Sequence, residues 1–292
     1  MGIFTEPPPS RFDIRFKLGR IPVRIHPFFW LSTFGLTLGA NMAPMKIAIW
    51  VFAVLISILV HELGHAIAFR RFGCESRITL YGFGGLASAE PGSKGSPAGW
   101  SRIIVSAAGP FAGFALGAAT LAAVLVSGHR APLMMWTVGS GLPLPSLALF
   151  TLVADLMFIN VIWGLVNLLP VHPLDGGDIA LELARKRDPR RGVERSVWLS
   201  FWVAIAVGIV AIAVFHDVFV LIMFGYLAAM SWMVLHQRYG ASARSFRVVR
   251  WFRAKSTVRS LDRVDGQKPS AEVDKVVRDL FERVEKRRTK PR

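Results

Sequence analysis

The chain has 292 residues, 53% of them hydrophobic and only 18% charged, and its 35 Lys and Arg outnumber 19 Asp and Glu. That composition excludes a disordered chain, and the lone Cys74 excludes a disulfide scaffold. An ordinary soluble domain carries about 25% charged residues and rarely holds apolar runs long enough to cross a bilayer.

Residues 1–11 contain Glu6, Pro7, Pro8 and Pro9 and no apolar core, so they do not read as a signal peptide. Phe12, Ile14, Phe16 and Leu18 alternate with Asp13, Arg15 and Lys17, the period of a half-buried strand. Gly19-Arg20 can turn that strand back into Ile21–Ile25, where Pro22 suits an edge.

A bilayer core about 30 Å thick needs about 20 apolar helical residues. Six stretches predict membrane spans, over about 27–43, 45–69, 103–126, 147–169, 197–214 and 218–236. The first is the weakest, with Gly35, Gly39 and Asn41 in a short run. The last two are separated only by His216-Asp217, which leaves room for a tight hairpin.

Lys and Arg accumulate in cytoplasmic loops, so their distribution sets the orientation. Five precede the first span, five lie between the second and third, six between the fourth and fifth, and seventeen from Arg238 onward. Only Lys46 and Arg130 fall on the other side. Six spans with both termini cytoplasmic account for every basic cluster. The positive balance is then topology and contact with anionic lipid, and no nucleic-acid partner is expected.

After the second span, Arg77–Tyr81 and Leu86–Glu90 flank Gly82-Phe83-Gly84-Gly85, a glycine-rich hairpin signal. Strand backbone at membrane depth must be buried in protein or line a wet cavity. The expectation is a small sheet, or re-entrant hairpin, at the cytoplasmic rim. In the third span, Ala108, Gly109, Ala112, Gly113 and Gly117 give small-residue spacing that lets helices approach, and Pro110 should kink it.

The chemistry concentrates in His61-Glu62-Leu63-Gly64-His65, near the cytoplasmic end of the second span. Positions i and i+4 share a helix face, so two imidazoles there can bind one zinc ion. The Glu between them can act as general base on water at the metal. Ionisable groups near hydrocarbon are costly unless they face a protein interior or water, which marks them as functional. A catalytic zinc also needs a third protein ligand and an open position. Candidates follow the fourth span in Asn167-Leu-Leu-Pro170-Val-His172-Pro173-Leu-Asp175-Gly176-Gly177-Asp178. The prolines stop the helix and present Asp175 on a bent segment. His172 and Asp178 are rivals, with Asp178 also suited to cap a helix beginning near Ile179.

His61-Glu-Leu-Gly-His-Ala66 with Ala68–Gly73 resembles the first signature of the site-2 protease family, the intramembrane zinc metalloproteases of peptidase family M50. Asn167-x-x-Pro170 leading to Leu174-Asp175-Gly176 resembles the second. Gly109-Pro110, the Gly82–Gly85 loop and the run from Gly19 to Pro27 are similar to further family features, and the resemblance covers roughly residues 12–236. It implies that His61, His65 and Asp175 ligate one Zn2+ per chain and that Glu62 is the catalytic base. Asn167 would hold the substrate carbonyl or its oxyanion. The substrate would be a membrane-spanning helix of another protein, cut in regulated intramembrane proteolysis. The six-span form, with no PDZ-like insert between the motif spans, is similar to a branch with archaeal and sporulation members, which points to a prokaryotic cell membrane. The 55 residues after Gln237 are too few for the paired cystathionine-synthase-type modules of many relatives. A homo-oligomer stays open.

Peptide hydrolysis in a bilayer needs water, a Lewis acid and an unwound substrate. The edge of the hairpin can hold such a substrate extended, with Gly82, Phe83, Gly84 and Gly85 as its positioning residues. Two other functions compete: an inactive relative that escorts membrane helices, against which Glu62 speaks, and a metal transporter. Transporters place their sites at the midplane on repeated, broken helices, and no internal repeat is visible here.

Asn160 and Asn167, seven apart, share a face of the fourth span, and interhelical hydrogen bonding is the expectation for Asn160. Asp155 is a second polar contact or an outer-leaflet snorkeller. The expected class is an all-α polytopic membrane protein. A β-stranded N-terminal segment (1–26) leads into a six-span protease core (27–236). A basic tail (237–292) then carries amphipathic helices over about 246–253 and 273–284, the second capped by Ser270.

Overall fold

Two antiparallel strands begin the fold, β1 (Ile14–Leu18) and β2 (Ile21–Ile25), turning through Gly19-Arg20 as their alternation requires. The structure is a computed structural model that describes residues 7–38, 42–82, 84–90, 97–133 and 136–237. The helices expected in the tail and Phe83 of the hairpin lie outside the described residues. Up to Leu235 the chain belongs to one unit.

After α1 (Pro27–Gly35) comes α2 (Pro44–Arg71), a helix of 28 residues that starts on a proline at its first turn and ends on two arginines. Both features suit their ends, since a proline lacks only an amide that would be unpaired there and a cation complements the carbonyl end. The chain then returns through β3 (Ser76–Tyr81) and β4 (Gly84–Ala89). The four strands form one sheet in the order β1-β2-β3-β4, with β2 and β3 parallel and the other pairs antiparallel. The β3–β4 hairpin lies back along α2: the Ser76 hydroxyl donates to the Ala66 carbonyl at 3.0 Å, and Gly85 stands against Glu62 one turn earlier.

Helix α3 (Trp100–Val126) packs along α2 with Pro110 inside it. A Cβ at Gly64 would strike the Ala108 backbone, so the small residues of the two helices set their approach. The next span is α4 (Leu147–Met157), a π-helical turn (Phe158–Trp163) and α5 (Gly164–Asn167). A loop leads to the amphipathic α6 (Asp175–Arg187), then to α7 (Gly192–Phe215) and α8 (Val218–Leu235). The last two form the expected hairpin, with His216 left-handed at φ 52° and the Asp217 carboxylate accepting from Val220 N–H at 3.0 Å.

Among the described residues, five helices are long and apolar enough to cross a membrane: α2, α3, Leu147–Asn167, α7 and α8. The first expected span corrects to something shorter. Its helix has nine residues, about 13 Å long, against a hydrocarbon core of about 30 Å. One face packs on the protein, where Phe29 is fully buried with Ala53, Val54 and Leu80 and Ser32 donates to the Gly82 carbonyl, while Phe28, Leu31 and Phe34 stay exposed. Two further features were not expected, the π turn and the small hairpin β5 (Ala131–Leu133)/β6 (Trp136–Val138) between α3 and α4.

Candidate metal centre

His61 and His65 project from one face of α2, as their spacing dictates, and their Nε2 atoms are 3.1 Å apart. Asp175, the first residue of α6, reaches them across the bundle. Its Oδ2 is 3.1 Å from His61 Nε2 and its Oδ1 is 3.2 Å from His65 Nε2. A tetrahedral zinc with ligand bonds of about 2.0–2.1 Å has ligand–ligand edges of roughly 3.3 Å. Here each carboxylate oxygen faces one imidazole, and one ligand atom from each of the three residues lies within 4.8 Å of the others, near enough to share a single ion. Among the described residues these three form a group able to hold a metal.

The surrounding contacts prepare the ligand atoms. His65 Nδ1 lies 2.7 Å from the Val105 carbonyl, so Nδ1 carries the hydrogen and Nε2 is left with its lone pair. A Cβ on Gly109 would enter the His65 ring, which is why α3 needs a glycine at that level. Asn167 Nδ2 donates to Asp175 Oδ2 at 2.5 Å and also lies 3.2 Å from His61 Nε2.

Asp175 gets its place from the loop before it. Pro170 and Pro173 end the preceding helix, and Val171 is fully buried between α7 and α8. A Cβ at Gly176 or Gly177 would strike the backbone of Leu168 or Val171, so α6 starts pressed against this loop. The Ser200 hydroxyl accepts from His172 N–H at 2.9 Å and pairs with Ser231 at 2.9 Å.

Glu62 lies on the same turn of α2 as the two histidines. It is 6% exposed, and its Oε2 accepts from the Ala87 N–H of β4 at 2.7 Å. Gly85 lies so close to Glu62 that a Cβ there would overlap its side chain. Gly84 opens β4 opposite Tyr81 with open space around it, and Gly82 makes the turn at φ 51°. The hairpin thus stands beside the candidate site.

Neither rival joins the ligand cluster, and only the expected cap by Asp178 is corrected. His172 lies outside the ligand cluster, with burial lowering its pKa, and its Nδ1 is 3.8 Å from Asp178 Oδ1. Asp178 does not cap α6, which begins three residues earlier; it pairs with Arg102. Asn160 follows expectation, donating to Ser57 Oγ on α2 at 2.8 Å. Asn160 reaches Ser57 and Asn167 reaches His61, positions one turn apart on α2, so both amides face the same helix. Two groups beside the site left no sequence signal, the Val105 carbonyl and the Ala87 amide, because both belong to the main chain.

Residues 49–210 match the family model for Peptidase family M50. The chain belongs to this family. M50 relatives include a Synechocystis sp. protein that bears a zinc metalloprotease name, 32% identical over 200 residues, which is 66% of this chain and 46% of that one. Rip3 of Mycobacterium tuberculosis, also bearing a zinc metalloprotease name, is 35% identical over 151 residues, 51% of this chain and 30% of its own. Zinc metalloprotease MJ0392 of Methanocaldococcus jannaschii is 28% identical over 181 residues, 60% of this chain and 47% of its own. The chain therefore spans half or less of the length of these relatives. The solved site-2 protease from Methanocaldococcus jannaschii aligns over 76% of this chain and 94% of that one, with a TM-score of 0.48 and 21% identity. With five spanning-length helices among its described residues, this M50 chain is an integral membrane protein.

Proposed function

We propose that the chain is an intramembrane zinc endopeptidase that cuts a peptide bond within or near a transmembrane helix of another protein. One observation carries the reading: His61, His65 and Asp175, from two distant segments, bring one ligand atom each within 4.8 Å of one another, beside a buried glutamate on the same helix turn. His61, His65 and Asp175 would hold one zinc per chain. Bound there, zinc supplies Lewis acidity, polarising a carbonyl and making water easier to deprotonate.

The chain's own residues do the rest. Glu62 takes a proton from the attacking water and returns it to the leaving amine, a general acid–base role suited to its fixed place against β4. Asn167 keeps Asp175 in position and turns an amide N–H towards the same space, where a scissile carbonyl can accept it. An unwound substrate has lost its helical hydrogen bonds. The outer edge of β4 offers replacements, since Gly85 and Ala89 face the same way as Ala87 by the two-residue period. The hairpin from Gly82 to Gly85, including Phe83, accordingly positions substrate.

The reading places both termini in the cytoplasm of a prokaryotic cell, with basic loops on anionic lipid. The path of residues 27–43 supports it. His26 N–H donates to Leu80 of the sheet at 2.9 Å, near the level of Glu62, whereas α2 begins at Pro44 about 27 Å above that level. His26 and Pro44 thus stand at levels a membrane thickness apart, although α1 is only a half-length helix.

The test is metal analysis of the purified protein together with cleavage of a membrane-helix substrate by wild type and Glu62→Gln. One zinc per chain in both, with cleavage only by wild type, is the expected result. Zinc-free protein that still cleaves, or equal cleavage by the variant, refutes the reading.

A further inference from the structure

The first turns of α3 touch both halves of the candidate ligand set. On one side Val105 and Gly109 fix the His65 ring. On the other, three contacts join the start of α3 to α6: Gly99 N–H donates to Glu182 Oε2 at 3.1 Å, Lys186 Nζ stands 3.8 Å from the Trp100 ring centre, and Arg102 Nη2 meets Asp178 Oδ2 at 2.5 Å. Asp178, Glu182 and Lys186 follow one another at i, i+4 and i+8, so they form one stripe of α6.

That stripe fixes the rotation of α6 about its own axis. Rotation matters because Asp175 is one turn before Asp178, and turning the helix would swing its carboxylate away from His61 and His65. The glycines at 176 and 177 set how near α6 comes to the preceding loop, but they have no side chains to resist rotation. Leu174 provides no side-chain cap. Of the three contacts, Arg102–Asp178 is nearest the ligand. Its side chains are 37% and 30% exposed, and an ion pair that wet adds little to stability. Its short charge-assisted bond is directional, however, and direction is what the ligand needs.

We propose that Arg102 is a positioning residue for the metal centre, its ion pair with Asp178 holding α6 in the rotation that delivers Asp175 to the two histidines. The inference rests on the reading of Asp175 as a ligand. α3 is then a common frame, registering the α2 histidines and the α6 carboxylate against one backbone.

The experiment measures zinc affinity of the full-length purified protein by competition with a chromophoric chelator. Losing a group that orients a metal ligand typically costs about 10–100-fold in affinity. Arg102→Ala and Asp178→Asn should each lose that much. Glu182→Gln, which weakens the same helix contact farther from the ligand, should bind zinc within about twofold of wild type. The exchange R102D/D178R should recover most of the loss, which a general loosening of the fold would not allow. If Arg102→Ala does not fold, Asp178→Asn, which keeps the side-chain shape, decides. Wild-type affinity in Arg102→Ala and Asp178→Asn, while Asp175→Ala loses zinc, overturns the proposal and leaves the ligand reading standing. Undiminished zinc in Asp175→Ala overturns both.

Discussion

The Ala87 amide donates to Glu62 Oε2 at 2.7 Å, tying an edge strand to the helix that carries both histidines. One hydrogen bond thus links the segment suited to holding substrate with the group suited to moving its proton. The carboxylate needs that bond, because a buried charge without a donor is costly.

Glu62→Gln keeps the size of the side chain and removes its basicity. Cleavage should fall by at least about 100-fold, the usual contribution of a general base. Zinc content and thermal unfolding should stay near wild type, since Glu62 lies outside the ligand cluster. Glu62→Asp should also lose activity, because one methylene fewer draws the carboxylate away from Ala87. Full turnover by either variant would move the base elsewhere.

Asp175→Ala leaves two imidazoles, too few for a closed ligand set. Its zinc should wash out at chelator concentrations that wild type withstands, and cleavage should vanish with it. Chelator-treated wild type should regain activity when zinc is added back, whereas Asp175→Ala should not. Metal analysis after equal washing reads the difference.

Gly109→Ala tests why α3 carries a glycine there. The new methyl would overlap the His65 ring, so either the ring rotates off Val105 or the helices part. Zinc affinity should drop by about 10-fold or more, as for loss of an orienting contact. Gly113→Ala is the control, since its Cβ would meet Asn160 at an ordinary 3.4 Å. Equal zinc affinity in the two variants would show that the close approach at Gly109 is without consequence.

The cluster of His61, His65 and Asp175 was legible because local rules constrain sequence: histidines four apart share a helical face, and prolines before Asp175 with glycines after it break the chain there. The four strands of the larger sheet were legible for the same kind of reason, a period of two between turn residues. What escaped was non-local. Hydropathy counts Phe29 as lipid-facing, whereas the parallel pairing of β2 with β3 places it in a protein core with α2. Asp178 looked like a cap because capping is a local rule, while Arg102 lies 76 residues away. The π turn around Asn160 adjusts one helix to its neighbours and has no composition of its own.

The shortened first helix makes topology worth measuring. With Cys74 replaced by Ser, single cysteines at Lys46 and Arg130 should react with a membrane-impermeant thiol reagent from outside intact cells. A cysteine at Arg187 should react only after the cells are opened. Labelling of Lys46→Cys only in opened cells would mean that residues 27–43 do not carry the chain across.

The adjacent glycines of the hairpin separate two explanations of its composition. If the segment is only a linker, Gly84 and Gly85 are equivalent. The surroundings say otherwise: a Cβ on Gly84 would meet nothing within 4 Å, and a Cβ on Gly85 would overlap Glu62. Gly85 also pairs with Leu80, and its outward N–H and C=O lie on the free edge of β4. Gly84→Ala should therefore cleave within about threefold of wild type, and Gly85→Ala should lose at least about 10-fold, with zinc unchanged in both. Larger residues should widen the gap, and Gly85→Val should be near inactive. Comparing kcat with KM identifies the cause. A fall in kcat reports a displaced Glu62, and a rise in KM reports a blocked substrate edge. Equal activity of Gly84→Ala and Gly85→Ala, on a substrate that still has to unwind, would show that the hairpin only connects α2 to α3.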